Sequence, residues 1–222
     1  MTEPIRDTAA PAAAPAAAPA AAAPPQAPPR TVPPLAPRPE VLAFLATRRS
    51  RPAKTLTADA PGREDIRQML ALAARVPDHG KLEPWRFVVL ARPAMEALAD
   101  TARAHGAALG MEAAQAEKAA ANFRFGGAIV AVLARPDPAA KIPAWEQDLS
   151  AGALCLGLVN AALAMGWGAN WLTGPFARDA AFLAAIGARA GEYAAGFVHL
   201  GRETSVPPDR PRPDIDALTD WR

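Results

Sequence analysis

The chain is poor in the residues that usually carry side-chain chemistry. It has one cysteine, Cys155, and three histidines, His79, His105 and His199. A single cysteine excludes an intramolecular disulfide, which agrees with a reducing compartment. No two histidines stand at H-x-x-x-H spacing and no cysteine pair exists, so no zinc site is expected. Cys155 lies in the apolar run 149–163 with no charged neighbour close enough in sequence to lower its pKa. It reads as a small buried hydrophobe. Also missing are a P-loop, a G-x-S-x-G elbow, a G-x-G-x-x-G turn between strand and helix, and any nucleophile with a base beside it. A domain without such a set, but with several unusual polar clusters, points to a borrowed cofactor or to no catalysis at all.

An excess of one charge is lacking as well. Lys and Arg number 24 and Asp and Glu 22, a net charge of +2. Residues 1–39 hold three of the arginines and two of the acids, leaving 21 basic against 20 acidic side chains in the rest. A nearly neutral folded part gives no electrostatic reason to expect nucleic acid or an anionic membrane. No stretch reaches the roughly 20 apolar residues of a membrane span without a glycine or a polar break.

What is abundant is alanine and proline. Residues 1–39 contain 14 Ala and 12 Pro. Proline at that density breaks a helix, and alanine offers little to pack, so residues 1–38 are expected to form a disordered tail with polyproline II character near 24–34. Glu3 and Asp7 stand where a secretory signal needs basic residues, and Pro11, Pro15 and Pro19 break the alanine run. With no targeting segment, the expected location is cytoplasmic.

Residues 39–222 read as one folded domain. Val41, Leu42, Phe44 and Leu45 share a helical stripe in 40–47, and Ile66, Met69, Leu70 and Ala73 share another in 63–75. Further helices are expected over 93–105, 111–123, 145–165 and 179–186. Strands are expected over 85–91, 128–134, 166–173 and 193–200; the second is buried, because its apolar run is continuous. From 202 onward the chain reads as an extended arm. Two helices precede the first strand and two separate it from the second, so the domain is α+β rather than strictly alternating.

Three polar clusters interrupt this pattern. Arg48-Arg49-Ser50-Arg51 follows the first helix. Arg48 and Ser50, as alternate residues, suit a phosphate; the other reading is a basic C-terminus complementing the helix dipole. Residues 75–85 (RVPDHGKLEPW) join a buried helix to a buried strand, either presenting backbone N–H groups to a ligand or forming a tight turn satisfied by Asp78 and His79. Residues 166–174 (GWGANWLTG) have glycines that either admit a flat ring or let a strand pack closely on a helix.

In order and spacing these clusters resemble the nitroreductase family. Arg48-Arg49-Ser50 with Arg51 is similar to its R-R-S-x-R opening. Pro77-Asp78-His79 with Pro84-Trp85, and Trp145-Glu146-Gln147-Asp148-Leu149-Ser150-Ala151-Gly152, resemble its small, minimal subgroup. The resemblance covers about 41–201. It implies a three-layer α-β-α sandwich around a mostly antiparallel sheet, and a homodimer with FMN between subunits. Arg48, Arg49 and Ser50 would hold the phosphate and ribityl end of FMN. Arg75 and His79 would contact the flavin, and Trp171, Leu172 and Thr173 would lie against its rings. NADH or NADPH would pass hydride through flavin N5 to a small planar acceptor such as a nitroaromatic or a quinone, with no protein acid or base required. Dehalogenation, flavin breakdown and non-catalytic FMN binding are the alternatives on the same fold. Lys81, Glu83 and Leu172 depart from the family pattern. Arg210 and Arg212 are further phosphate candidates without a firm alignment.

Overall fold

A computed structural model describes residues 32–222. The first 31 residues of the expected tail lie outside the described residues; 32–38 are exposed and without regular structure. Helix α1 (Pro39–Thr47) opens with proline in its first turn, where the missing N–H costs nothing. Then follow α2 (Arg63–Ala73), β1 (Trp85–Ala91), α3 (Arg92–Ala108), α4 (Ala113–Ala121), β2 (Ala128–Ala134), α5 (Ala144–Ala164), β3 (Gly168–Leu172), α6 (Ala180–Ala184) and β4 (Tyr193–Gly201). Each element expected from the sequence is present, with ends shifted by a few residues.

The strands form one sheet in the order β1-β2-β4-β3, and every neighbouring pair is antiparallel. All seven residues of β2 are buried. Its side chains alternate between two cores. Ile129, Ala131 and Leu133 join Met95 and Leu98 of α3, Phe123, and Phe182 of α6. Val130 and Val132 join Met69 of α2 and Leu154, Cys155 and Leu158 of α5. A strand covered on both faces has no solvent side, so its sequence shows no alternation. The sheet is therefore the middle of three layers.

The pairing of β2 with β4 slips between Val132 and Leu133, so that Ala195 opposes no residue. This bulge frees the Ala195 carbonyl, which accepts the indole N–H of Trp171 at 3.1 Å. The indole lies on the backbone of β4: a Cβ on Gly196 would stand 2.0 Å from Trp171 Nε1. Gly168 is also a packing glycine, since its Cβ would meet the Leu56 side chain at 2.5 Å.

Helix α5 is 21 residues long, with a mean hydropathy of 1.3 over its most apolar 18. Length and composition alone would pass it as a membrane span. Half of that window is buried inside the domain, and α5 is the core helix of one outer layer. Its other side leaves Trp145, Leu149 and Leu156 exposed. Helix α1 buries no residue, and Val41, Leu42 and Leu45 face outward. The arm after β4 carries Val206, Ile215, Leu218 and Trp221, all exposed.

The root of that arm is held firmly. Glu203 bridges to Leu56, and its carboxylate meets Arg51 Nε at 2.7 Å. The Thr204 N–H donates to the Thr55 carbonyl at 3.1 Å. The Arg202 guanidinium lies 3.5 Å over the Trp167 ring. These contacts send the arm back toward the segment that follows α1.

Candidate functional site

That return path builds a cavity of about 320 Å³, lined by Arg48, Arg49, Ser50, Asn170, Arg210 and Arg212 with Pro52. The turn after α1 is extended at Arg48 (φ −61°, ψ 139°), so the chain leaves the helix and runs beside β3. The Arg51 N–H donates to the Ala169 carbonyl at 2.8 Å, and the Asn170 side chain donates to the Arg51 carbonyl at 2.8 Å. Both bonds fix the R-R-S segment against the strand. Arg48 Nη2 reaches Ser50 Oγ at 3.5 Å.

The cavity is charged and incomplete. Arg48 Nε and Arg49 Nη1 are buried and have no hydrogen-bond partner among the described residues. Buried donors are nearly always paired, so two orphaned guanidinium nitrogens in one cavity mark a place for an acceptor. Burial, then the charges of Arg212, Arg210 and Arg51, hold the Arg48 pKa below its ordinary value. Arg212 is partly neutralised by Asp209 at 2.5 Å. Among the described residues no acid lines the cavity. A phosphate monoester would pair the orphaned N–H groups and offset the mutual repulsion, so the residues present fit the terminal phosphate of FMN.

The expected ring wall adjoins this cavity along β3. Asn170 lines it, and Trp171 and Leu172 follow on the strand, with Thr173 just beyond. Trp171 and Thr173 are exposed and Leu172 is half-buried. Because the Trp171 indole is bonded to β4, it presents a fixed apolar face.

Arg75 and His79 lie elsewhere. Arg75 is exposed just after α2. His79 lines a second cavity, of about 410 Å³, with Pro77, Pro84, Trp145, Glu146 and Leu149 at the start of α5. This cavity shares no lining residue with the arginine cavity. Its loop is a rigid turn. The Asp78 carboxylate accepts the N–H groups of Leu82 at 3.1 Å and Glu83 at 2.9 Å. Lys81 (φ 55°) and Glu83 (φ 46°) are both left-handed, which is costly for side-chain residues and holds only where the surroundings impose it. Asp78 thus serves the turn itself, and His79 is free of that duty. His79 Nδ1 meets the Glu146 carboxylate at 3.2 Å.

The Trp145–Gly152 motif explains how the parts are joined. Successive side chains of α5 point outward like spokes. Glu146 meets His79. Gln147 accepts from the Asp137 N–H at 2.8 Å and donates to the Asp137 and Ile142 carbonyls at 3.0 and 2.9 Å. Asp148 accepts the Tyr193 hydroxyl. Ser150 donates to the Pro77 carbonyl at 2.7 Å and accepts the Trp85 indole N–H at 3.1 Å. Gly152 lies 4.0 Å from the tip of Trp171, measured from where its Cβ would stand. One helix therefore positions the P-D-H turn, the ring wall and the loop before itself. Cys155, farther along, is fully buried, and burial pushes its thiol up to about 12, which removes it from nucleophilic chemistry.

Arg210 and Arg212, offered by the sequence only as further candidates, line the cavity, and Asn170 is the residue that sequence reasoning misses. The two arginines sit in an arm without periodicity, and Asn170 sits in a strand, where a buried amide has no distinctive pattern. The orphaned N–H groups that reveal the cavity exist only once the chain is folded.

Comparisons with known proteins place the family and the fold. The nitroreductase family profile matches residues 45–202. A protein of Haemophilus influenzae named "Putative NAD(P)H nitroreductase" is 34% identical over 163 residues, covering 73% of this chain and 88% of that protein. Among solved structures, a nitroreductase-like family protein from Bacillus cereus superposes with a TM-score of 0.70 at 20% identity, covering 85% of this chain and 98% of its own. A nitroreductase with bound FMN from Bacteroides fragilis superposes with a TM-score of 0.66 at 17% identity, covering 82% and 99%. The chain belongs to the nitroreductase family. The expected α+β architecture and the expected oxidoreductase class stand with that assignment.

Proposed function

We propose that this protein is an FMN-dependent oxidoreductase that takes hydride from NADH or NADPH and delivers it to a small planar acceptor, such as a nitroaromatic or a quinone. The observation that carries the reading is the pair of buried, unpartnered guanidinium nitrogens of Arg48 and Arg49 in a cavity of four arginines and Ser50. A related protein named as an NAD(P)H nitroreductase and a structural neighbour with bound FMN support it.

FMN would supply the redox chemistry, accepting and releasing hydride at its N5 atom. The chain's part is binding and orientation. Arg48, Arg49 and Ser50, with Arg210 and Arg212, hold the phosphate. Asn170 fixes the strand edge, and Trp171, Leu172 and Thr173 give the ring a flat wall. Positive charge from Arg75 stabilises electron density on the pyrimidine edge, and His79 contacts the ring. No side chain is required as acid or base for hydride delivery.

The working unit is a homodimer. His79 lines a cavity that shares no residue with the one around Arg48, and Arg75 lines neither; a second copy would supply both to the site built around Arg48. The same assembly covers the outward apolar side chains of α1 and of the arm, which one chain leaves in water.

The test is direct. Cofactor extracted from the purified protein is FMN, and NADH or NADPH oxidation accelerates when a nitroaromatic is added. FAD, or no flavin after reconstitution with FMN, overturns the reading. Sedimentation across a wide concentration range shows flavin occupancy falling as the dimer dissociates. A monomer with full occupancy and turnover removes the two-chain site.

A further inference from the structure

A third cavity, of about 480 Å³, lies between α5, the residues that follow β3 and the start of β4. Thr173 and Gly174 form one side, Asp148 and Gly152 the floor, and Arg178 and Tyr193 the other side. Nothing described so far uses Arg178. Its guanidinium carbon stands 4.1 Å over the Tyr193 ring. The Tyr193 hydroxyl donates to Asp148 on α5, so the ring beneath the arginine is fixed. Arg178 itself pairs with no carboxylate among the described residues. It is a cation held over the Tyr193 ring and within reach of its hydroxyl, with no carboxylate to neutralise it among the described residues. Gly174 (φ 107°, ψ −179°) adopts a backbone region open essentially to glycine alone, and it carries the chain from the ring wall into this cavity.

We propose that Arg178 selects electron acceptors bearing a monoanionic substituent, a carboxylate or sulfonate, on a planar ring. The acceptor ring stacks on the open face of the flavin, next to Thr173 and Gly174, and its substituent pairs with the guanidinium. The inference rests on the flavin reading, because that reading lays the flavin on the strip that borders this cavity. The two arginine cavities differ in charge, and the difference sets the class of anion. The cavity at Arg48 has four arginines and no acid, and suits a phosphate dianion. The cavity at Arg178 has one arginine and one acid, Asp148. Tyr193 occupies part of that carboxylate, whose remaining charge repels a dianion but leaves a monoanion a net attraction at the guanidinium. Tyr193 stays a neutral donor to Asp148 at all working pH, since burial, then Asp148, pushes its phenol up to about 12.

The experiment uses the full chain and two near-isosteric ligands, 4-nitrobenzoate and 4-nitrobenzamide, titrated by calorimetry and then offered as acceptors. The native protein binds the benzoate more tightly and turns it over with the higher kcat/KM. Arg178→Met keeps the stack on Tyr193 but removes the charge. It weakens benzoate binding about tenfold and leaves the amide unchanged, while Arg178→Lys retains part of the preference. Equal losses for both ligands, or no change for either, overturn the proposal. So does a raised KM for NADH or NADPH with benzoate binding intact, which would assign Arg178 to the phosphates of the donor. The flavin reading fails separately: a colourless protein that still prefers benzoate refutes FMN but keeps Arg178, whereas a yellow protein without the preference refutes Arg178 alone.

Discussion

Buried polar groups at the start of α5 and beside β3 meet opposite fates. At α5, Gln147 and Ser150 are buried, and each finds partners for both its donors and its acceptors within the chain. Across the sheet, Arg86 and the buried Glu192 close a bidentate pair at 2.7 and 2.6 Å. Beside β3, Arg48 and Arg49 bury guanidinium nitrogens with no partner and face two more arginines. The first region is complete as folded. The second leaves donors unpaired among the described residues, which the proposed phosphate would take up. A polar residue in the first region should therefore act on stability, and one in the second on ligand affinity.

The strongest test of this contrast is Arg86→Ala. It strands a buried Glu192 carboxylate, which Arg86 and the Arg189 N–H hold below its ordinary value. A loss of about 3 kcal/mol in denaturant unfolding is expected, the low end for breaking such a pair because Arg86 keeps some water. A change below about 1 kcal/mol would show the pair to be no more than a surface contact.

Arg48→Ala reverses the pattern. FMN affinity should fall about ten- to hundredfold, the loss of a charge-assisted contact of about 1.5–3 kcal/mol. The flavin-free protein should be at least as stable as the native chain, because burial and the neighbouring arginines already disfavour this cation. Thermal unfolding of both apoproteins decides it. A destabilised apoprotein with unchanged flavin binding would mean that Arg48 only caps α1.

Ser150→Ala should cost about 1–2 kcal/mol, since the Pro77 carbonyl and Trp85 indole N–H lose their shared partner. Flavin affinity should weaken only to the extent that the Pro77–His79 turn loosens. A stability loss without any change in the flavin spectrum would separate that turn from the site.

The smallest effect is in pH. Burial holds the His199 imidazole below its ordinary value of 6.5, although its Nδ1 lies 3.0 Å from the Phe125 carbonyl. The unfolded chain therefore takes up this proton first as pH falls, and the folded state loses stability from about pH 6.5 downward until the folded imidazole also titrates. Above that range the contribution is fully present. His199→Gln should flatten the slope of unfolding free energy against pH in this window; an unchanged slope would assign the proton uptake to another group.

Much of the architecture was legible beforehand because its signals are local. The unbroken apolar run 128–134 announced a strand covered on both faces. The stripes in 40–47 and 63–75 announced helices, and the chain order of helices and strands excluded strict alternation. The cluster 75–85 allows either a ligand loop or a satisfied turn, and the fold divides it: Asp78 closes the turn while His79 faces a cavity. The glycines of 166–174 were less clear. Gly168 serves packing, and the glycine that admits a flat ring is Gly196, on another strand.

The amino-acid order by itself determined the helices, the strands, the sheet's buried centre and the family to which the chain belongs, because hydrophobic period and short motifs act over a few residues. Tertiary structure alone decided that Arg210 and Arg212 return to Arg48, that the bulge at Ala195 pins Trp171, that one helix ties three loops together, and that Arg178 stands over Tyr193. Those outcomes depend on pairings across the fold from Arg51 to Glu203 and from Asp148 to Tyr193. No local pattern specifies such pairings, since the energy of each exists only after the sheet has brought its two ends together.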